Sequence, residues 1–277
     1  MQRTATDAQR DVGVEFFNQS AEEYSRKYEE DSPAGYALRV RQERVLELFD
    51  QAGGKVLDVG CGPGLMMPPI LERGCSFWGV DPSPRMIDIA RKLCKQNERV
   101  QFSSGDAMHL EFPDGLFDAV LCMGVIDALR DRRQAIREML RVLKPGGTLI
   151  VSFTNLYSPY SWWKLYVFYP AVAAWRRINK ASTERKEQGL WSHMKTRKLF
   201  SEAAAQQLLA SEGAGIVESV GYNYNILLSP FDEIRPATAL RVARRLEKSR
   251  MRMLRWLATG WLVKARKNEE NNCASRG

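Results

Sequence analysis

A chain of 277 residues, 44% hydrophobic and 27% charged, is long enough to bury a full core as one large α/β domain with insertions and has the composition of a soluble globular protein. No apolar run approaches the roughly 18 residues of a membrane span, no basic-then-apolar leader opens the sequence, and five cysteines at 61, 75, 94, 122 and 273, an odd count without metal-ligand spacing, suggest a reducing cytoplasm, no disulfide framework and no metal. The net charge of +8 is uneven: residues 157–267 hold 20 Lys or Arg against 8 Asp or Glu, so the remainder is net acidic and the basic field bears on the partners of the later part.

Residues 1–14 read as a polar, frayed tail. From 15 to 28, apolar or aromatic residues at Phe16, Phe17, Ala21, Tyr24 and Tyr28 keep helical spacing and imply an amphipathic helix; a second helix follows over 37–49. Residues 55–59 form a short buried strand through Val56, Leu57 and Val59, running into Gly60, Gly62 and Gly64. Asp58 sits near the carboxyl end of that strand, where an open α/β sheet has its ligand crevice. The glycines strip every Cβ from one side of the turn, and the helix at 65–72 offers free N–H groups to an anion. That helix should start irregularly, because Pro68 and Pro69 are tolerated only in a first turn. Cys61 in the turn is explained by small-residue packing.

The next strand, 77–81, closes on Asp81, about 20 positions beyond the turn and placed for a ribose diol. Ser83 can cap a helix over 84–96. A third strand at 100–103 leads to Asp106, a fourth covers 117–123, and a helix at 131–143 ends at Pro145-Gly146-Gly147 before a fifth strand at 148–153. This alternation predicts a parallel, doubly wound sheet. Beyond 154 the character changes. Residues 157–178 hold Trp162, Trp163, Trp175, four tyrosines and Phe168, then a polar stretch leads to His193. A helix at 201–213, a strand at 215–222, a loop at 223–235, an arginine-rich helix at 237–257 and a last strand at 260–266 complete the reading.

Four motifs stand in order: Asp58-x-Gly60-x-Gly62-x-Gly64, Asp81, Gly105-Asp106-Ala107, and the strand pair at 117–123 and 143–152. Over residues 15–155 the chain resembles the class I S-adenosylmethionine-dependent methyltransferases of the small-molecule type. Leu65 stands where a dinucleotide fingerprint needs its third glycine, which disfavours a nicotinamide oxidoreductase. The resemblance implies an α/β, seven-stranded Rossmann-like sheet with an antiparallel last strand and a helical cap inserted between strands five and six. The organisation expected is lid helices at 1–50, a cofactor-binding core at 51–155, the cap at 156–213, strands six and seven with the basic helix at 214–267, and a disordered tail at 268–277.

It further implies S-adenosyl-L-methionine as cofactor. Asp58 and the turn of Gly60, Cys61, Gly62 and Gly64 would hold the amino-acid end. Asp81 would take the ribose, with Pro82, Ser83 and Met86 beside the adenosine. Asp106 would accept from the adenine amine, with Ala107 and Met108 lining that pocket. Met123, Gly124 and Val125 would lie under the reacting methyl. Tyr24 and Tyr28 either close over the cofactor or simply pack against the core. The chain lacks the Asn/Asp-Pro-Pro-Tyr/Phe pattern after strand four, which argues against base amines as acceptors, and no nucleic acid is expected. Asp127 and His193 are the catalytic candidates, and His109 reads as surface or cofactor rim. The acceptor expected is small, apolar or aromatic, and methylated at oxygen. One alternative is a peripheral-membrane enzyme acting on a quinone, polyprenyl or glycolipid precursor. Another is a non-catalytic scaffold, disfavoured by the intact carboxylates. The aromatic stretch is a substrate lid, a contact with anionic membrane, or plain packing.

Overall fold

The structure, a computed structural model, describes residues 5–94, 97–178, 198–249 and 252–269. His193 and most of the polar stretch after 178 lie outside the described residues, as does all of the expected tail beyond 269.

Helices α1 (Ala5–Lys27) and α2 (Pro33–Leu48) precede β1 (Lys55–Val59), α3 (Met67–Glu72), β2 (Ser76–Asp81), α4 (Pro84–Cys94), β3 (Val100–Ser104), β4 (Phe117–Cys122), α5 (Arg132–Val142) and β5 (Leu143–Thr154). The insertion winds as α6 (Pro159–Trp163), a wider turn over Lys164–Phe168, and α7 (Tyr169–Ile178). Then come α8 (Glu202–Ala210), β6 (Ala214–Tyr222), the short α9 (Phe231–Ile234), α10 (Pro236–Ser249) and β7 (Gly260–Lys267). The seven strands lie in the order β3-β2-β1-β4-β5-β7-β6. The five from β3 to β5 are parallel, and β7 runs antiparallel to both neighbours. This is the expected doubly wound sheet with its reversed last strand.

Two apolar clusters cover the two faces. One packs Val45, Leu48, Ile70, Ile87 and Ala90 from α2, α3 and α4 onto Val56, Phe77 and Leu121. The other packs Ile136, Met139, Ala205 and Leu209 from α5 and α8 onto Leu57, Val120 and Val151. Strands covered on both faces read as continuous apolar runs, and each fully buried large side chain contributes roughly 1.5–3 kcal/mol. The helix caps follow the sequence. Ser32 accepts the Gly35 N–H, Asp131 that of Gln134, and Ser201 that of Ala204, at 2.9–3.1 Å.

Several boundaries depart from expectation. The supposed tail is helical from Ala5; a polar, helix-permissive stretch shows no apolar stripe to announce itself. β5 begins at Leu143, five residues early, because the ladder to β4 already pairs Phe117 with Leu143. The loop at 223–235 contains α9, and the basic helix at 237–257 is two pieces, α10 and a tight turn over Arg252–Leu257.

Candidate functional site

The sheet order reverses between β1 and β4, so the loops leaving β1, β2 and β4 splay apart and open a crevice. Gly60, Gly62 and Gly64 turn the chain from β1 towards α3 with φ of 74°, 53° and 78°, a region costly for side-chain-bearing residues. Packing demands two of them. A Cβ at Gly60 would overlap Val125, and one at Gly64 would stand 2.9 Å from Phe102. Gly62 faces the crevice, and a Cβ there would meet only Tyr24, at 4.0 Å.

Asp81 fastens this turn to the tip of β2. Its Oδ2 accepts the Gly62 N–H and its Oδ1 the Ser83 N–H, both at 2.9 Å. Burial pushes its carboxyl up while these two bonds oppose the rise. Ser83 Oγ accepts the Met86 N–H at 3.2 Å and donates to Asn18 of α1 at 2.6 Å. Glu22 of α1 pairs with Arg85 at 2.7 Å. The first helix therefore lies across the start of α4 and buries Ser83 and Met86, leaving Pro82 exposed. After β3, Asp106 Oδ1 accepts the Met108 N–H at 3.1 Å, Ala107 is buried and His109 exposed.

Asp58 forms the crevice floor beside Gly60 and Cys61. Both of its carboxylate oxygens are buried with no hydrogen-bond partner among the described residues. Burial, then the charge of Asp81, pushes its carboxyl up to about 7, with Arg41 pulling the other way. Burial likewise holds the neighbouring Cys61 thiol up, so it stays protonated and inert. After β4, Met123 lines the crevice, and the Gly124 N–H donates to Ser152 Oγ at 2.7 Å.

Arg41 is the charged crevice residue that the sequence reading missed. It lines the crevice with Tyr24, Tyr28, Asp58 and Met123, and a Cβ on Gly124 would stand 2.6 Å from its Nη1. Burial pulls its guanidinium down, but Tyr24, Tyr28 and Tyr222 outweigh that and hold it above its usual range. Tyr24 and Tyr28 flank it along the crevice. A signal existed: Arg41, Val45 and Leu48 fall at i, i+4 and i+7, on the buried stripe of α2. Together these groups nearly fill the crevice, whose free volume is about 30 Å³, room for two or three waters.

Asp127, a catalytic candidate from the sequence, is turned away from the crevice. It is 2% exposed, and its Oδ2 accepts the Thr154 N–H at 3.0 Å as well as the Thr154 hydroxyl. Its carbonyl accepts the Lys198 N–H at 3.0 Å. It ties the loop after β4 to the end of β5 and is absent from the crevice lining. Among the described residues no group of three or more His, Cys, Asp or Glu could hold a metal ion.

Comparison with known proteins agrees with this geometry. Residues 57–151 match the model of a methyltransferase domain. That region is a class I S-adenosylmethionine-dependent methyltransferase domain. Demethylmenaquinone methyltransferase of Tropheryma whipplei is 41% identical over 102 residues, 36% of this chain and 41% of that protein. Ubiquinone biosynthesis O-methyltransferase of Xanthomonas oryzae is 36% identical over 121 residues, 42% and 49% of the two chains. The matches thus span less than half the length of either relative. A methyltransferase solved with the Haloferax volcanii Trm112 activator superposes with a TM-score of 0.61 at 18% identity, covering 92% of this chain and 96% of its own. The matched region holds Asp58, Asp81 and Asp106, whereas Tyr24, Tyr28 and Arg41 come from the helices before it.

The crevice fits the family's methyl donor, S-adenosylmethionine. The orphaned Asp58 carboxylate suits its ammonium, the Arg41 guanidinium its carboxylate, and the unused lone pairs of Asp81 its ribose hydroxyls.

Proposed function

We propose that this protein transfers a methyl group from S-adenosylmethionine to a small apolar or aromatic acceptor, at a hydroxyl oxygen. The observation that carries the reading is the buried, unpartnered carboxylate of Asp58 below a glycine turn. Such a group is costly without a cationic ligand. Supporting the acceptor half are the quinone-type names of the two relatives, which this chain matches over less than half their length, and the ring-rich insertion after β5.

When bound, the cofactor supplies a methyl carbon already activated by its sulfonium. The chain's task is then to align and to exclude water, which lowers a barrier by roughly 7–11 kcal/mol at best. Asp58 and Arg41 would clamp the two charges of the amino-acid end, and Asp81, held by the Gly62 and Ser83 N–H groups, would fix the ribose. Tyr24 and Tyr28 would close over the site from α1, and Met123 with Gly124 would shape the floor near the acceptor. Asp127, bound to Thr154, would position the β4 and β5 exits. A general base for the acceptor hydroxyl would add about 10²–10⁴-fold, and His193 is the candidate for it.

Calorimetric titration with S-adenosylmethionine and S-adenosylhomocysteine tests the cofactor, with micromolar binding expected and abolished in Asp58→Ala. Labelled-methyl transfer to hydroquinones and catechols then tests the acceptor. Tight cofactor binding with no labelled product from any phenolic acceptor would overturn the oxygen assignment alone.

A further inference from the structure

Twelve large apolar side chains are strongly exposed among the described residues, and nine of them fall in two stretches, 156–175 and 226–234. Tyr157, Trp162, Tyr166, Trp175, Phe231 and Ile234 are each 55–67% exposed. The stretches are far apart in sequence but clasped together. Trp163 Nε1 donates to the Ser229 carbonyl at 2.7 Å, Tyr160 donates its hydroxyl to Asp232 at 2.7 Å, and Lys164 donates to Tyr160 at 2.8 Å. Ser229 and Asp232 are buried beneath this clasp. The polar atoms of Tyr160, Trp163 and Lys164 are thus turned inward onto Ser229 and Asp232, and rings are turned out, with Glu233 the exposed acid of α9. Between them an apolar groove of about 540 Å³ is lined by Tyr157, Trp162, Trp163 and Leu228. A surface this apolar marks an interaction site.

The flank of this surface is cationic. α10 follows α9 directly, and Arg235 separates them. Ala239, Leu240 and Ala243 bury one side of α10, with Leu240 and Ala243 packed against Tyr36 and Val40. The opposite side exposes Arg241, Arg244, Arg245 and Lys248. Along the chain this row begins seven residues after Ile234. Among the described residues no helix is long and apolar enough to cross a membrane, so the device is one that lies on a surface.

We propose that α6, α7, α9 and the exposed row of α10 form a docking face for an anionic phospholipid bilayer. Trp162, Tyr157 and Phe231 enter the headgroup layer, where amphipathic rings are stable, and the arginines meet the lipid phosphates. A second copy of the chain is the poorer occupant, because it would bring the same cations against these and a net charge of +8 against +8. The proposal goes beyond methyl transfer and does not depend on it, and its test reads no activity.

The test is co-sedimentation of the full chain with vesicles of phosphatidylcholine alone and of equal parts phosphatidylcholine and phosphatidylglycerol. Binding to the anionic vesicles is expected, weakening with salt. Arg241→Gln with Arg245→Gln lowers partition onto anionic vesicles about thirtyfold, at about 1 kcal/mol per cation, and leaves neutral vesicles unaffected. Trp162→Ser with Phe231→Ser lowers binding to both. Circular dichroism and unchanged cofactor affinity confirm that each variant is folded. No sedimentation with anionic vesicles overturns the proposal, as does binding that neither pair of substitutions changes. Concentration-dependent self-association abolished by Trp162→Ser with Phe231→Ser, without vesicle binding, assigns the face to a second copy instead.

Discussion

Asp81 Oδ2 accepts the backbone N–H of Gly62 at 2.9 Å, so the acid at the tip of β2 holds the glycine turn that leaves β1. The other oxygen takes the Ser83 N–H, and one carboxylate therefore organises both rims of the crevice. Asp81→Asn keeps the shape but replaces one acceptor by an NH₂ group facing an N–H donor. A buried, unsatisfied donor costs about 1–3 kcal/mol. We expect a lower melting temperature and a cofactor affinity at least tenfold weaker. Unchanged affinity in Asp81→Ala would refute the role of this acid in cofactor binding.

Asp58 makes stability and affinity depend on pH in opposite senses. Its carboxyl is raised to about 7 in the folded protein, chiefly by burial, whereas in the unfolded chain it ionises near the ordinary value of about 3.9. The stability it contributes is therefore fully present below about pH 4 and is lost as pH rises through 7, since folding must then bury a charge. The difference is roughly 4 kcal/mol at most. Asp58→Asn should melt above the native chain at pH 8, with the gap closing towards pH 4. Cofactor affinity should rise with pH through 7, because a bound ammonium favours the ionised acid. Calorimetry in two buffers of different ionisation enthalpy should show a proton released on binding near pH 7. A native chain as heat-stable at pH 8 as Asp58→Asn would count against the buried charge.

Under the proposed function, Arg41 would separate recognition of the amino-acid end from that of the nucleoside. A guanidinium among Tyr24, Tyr28 and Asp58 meets a carboxylate with charge-assisted bonds, worth about 1.5–3 kcal/mol each. Arg41→Met should weaken S-adenosylhomocysteine by roughly ten- to a hundredfold while sparing methylthioadenosine, which has no carboxylate. Equal losses for the two ligands would show that the substitution merely disturbs α2.

Legibility from sequence tracked how local each signal was. β1, the glycine turn, Asp81 and Asp106 were readable because each couples a strand end to a turn within a few residues. The reversed β7 was expected only through family resemblance, since nothing in Gly260–Lys267 itself says that it slots between β5 and β6. Arg41 was hidden because a cation on a helix reads as solvent-facing unless its stripe is compared with Val45 and Leu48. Asp127 looked like a pocket acid from its position after β4; only the fold brings Thr154 against it. The start of α1 was invisible, because a polar segment that is helical through its neighbours carries no periodicity.

The two glycines that bracket Pro63 should separate stability from binding. Both need positive φ, 53° at Gly62 and 78° at Gly64, so an alanine at either pays about 1–2 kcal/mol of backbone strain. At Gly64 the new methyl would also stand 2.9 Å from Phe102 and 3.0 Å from Ala90, both buried, and overpacking adds about 1–3 kcal/mol. At Gly62 it would meet only Tyr24, at 4.0 Å, in space through which the proposed cofactor would approach. Gly64→Ala should therefore lower the melting temperature clearly more than Gly62→Ala. Among the folded molecules of each variant, Gly62→Ala should show the greater loss of S-adenosylhomocysteine affinity. Thermal melts paired with calorimetry decide the matter: the reverse ranking in either measurement would mean that the crevice does not open along the Gly62 side.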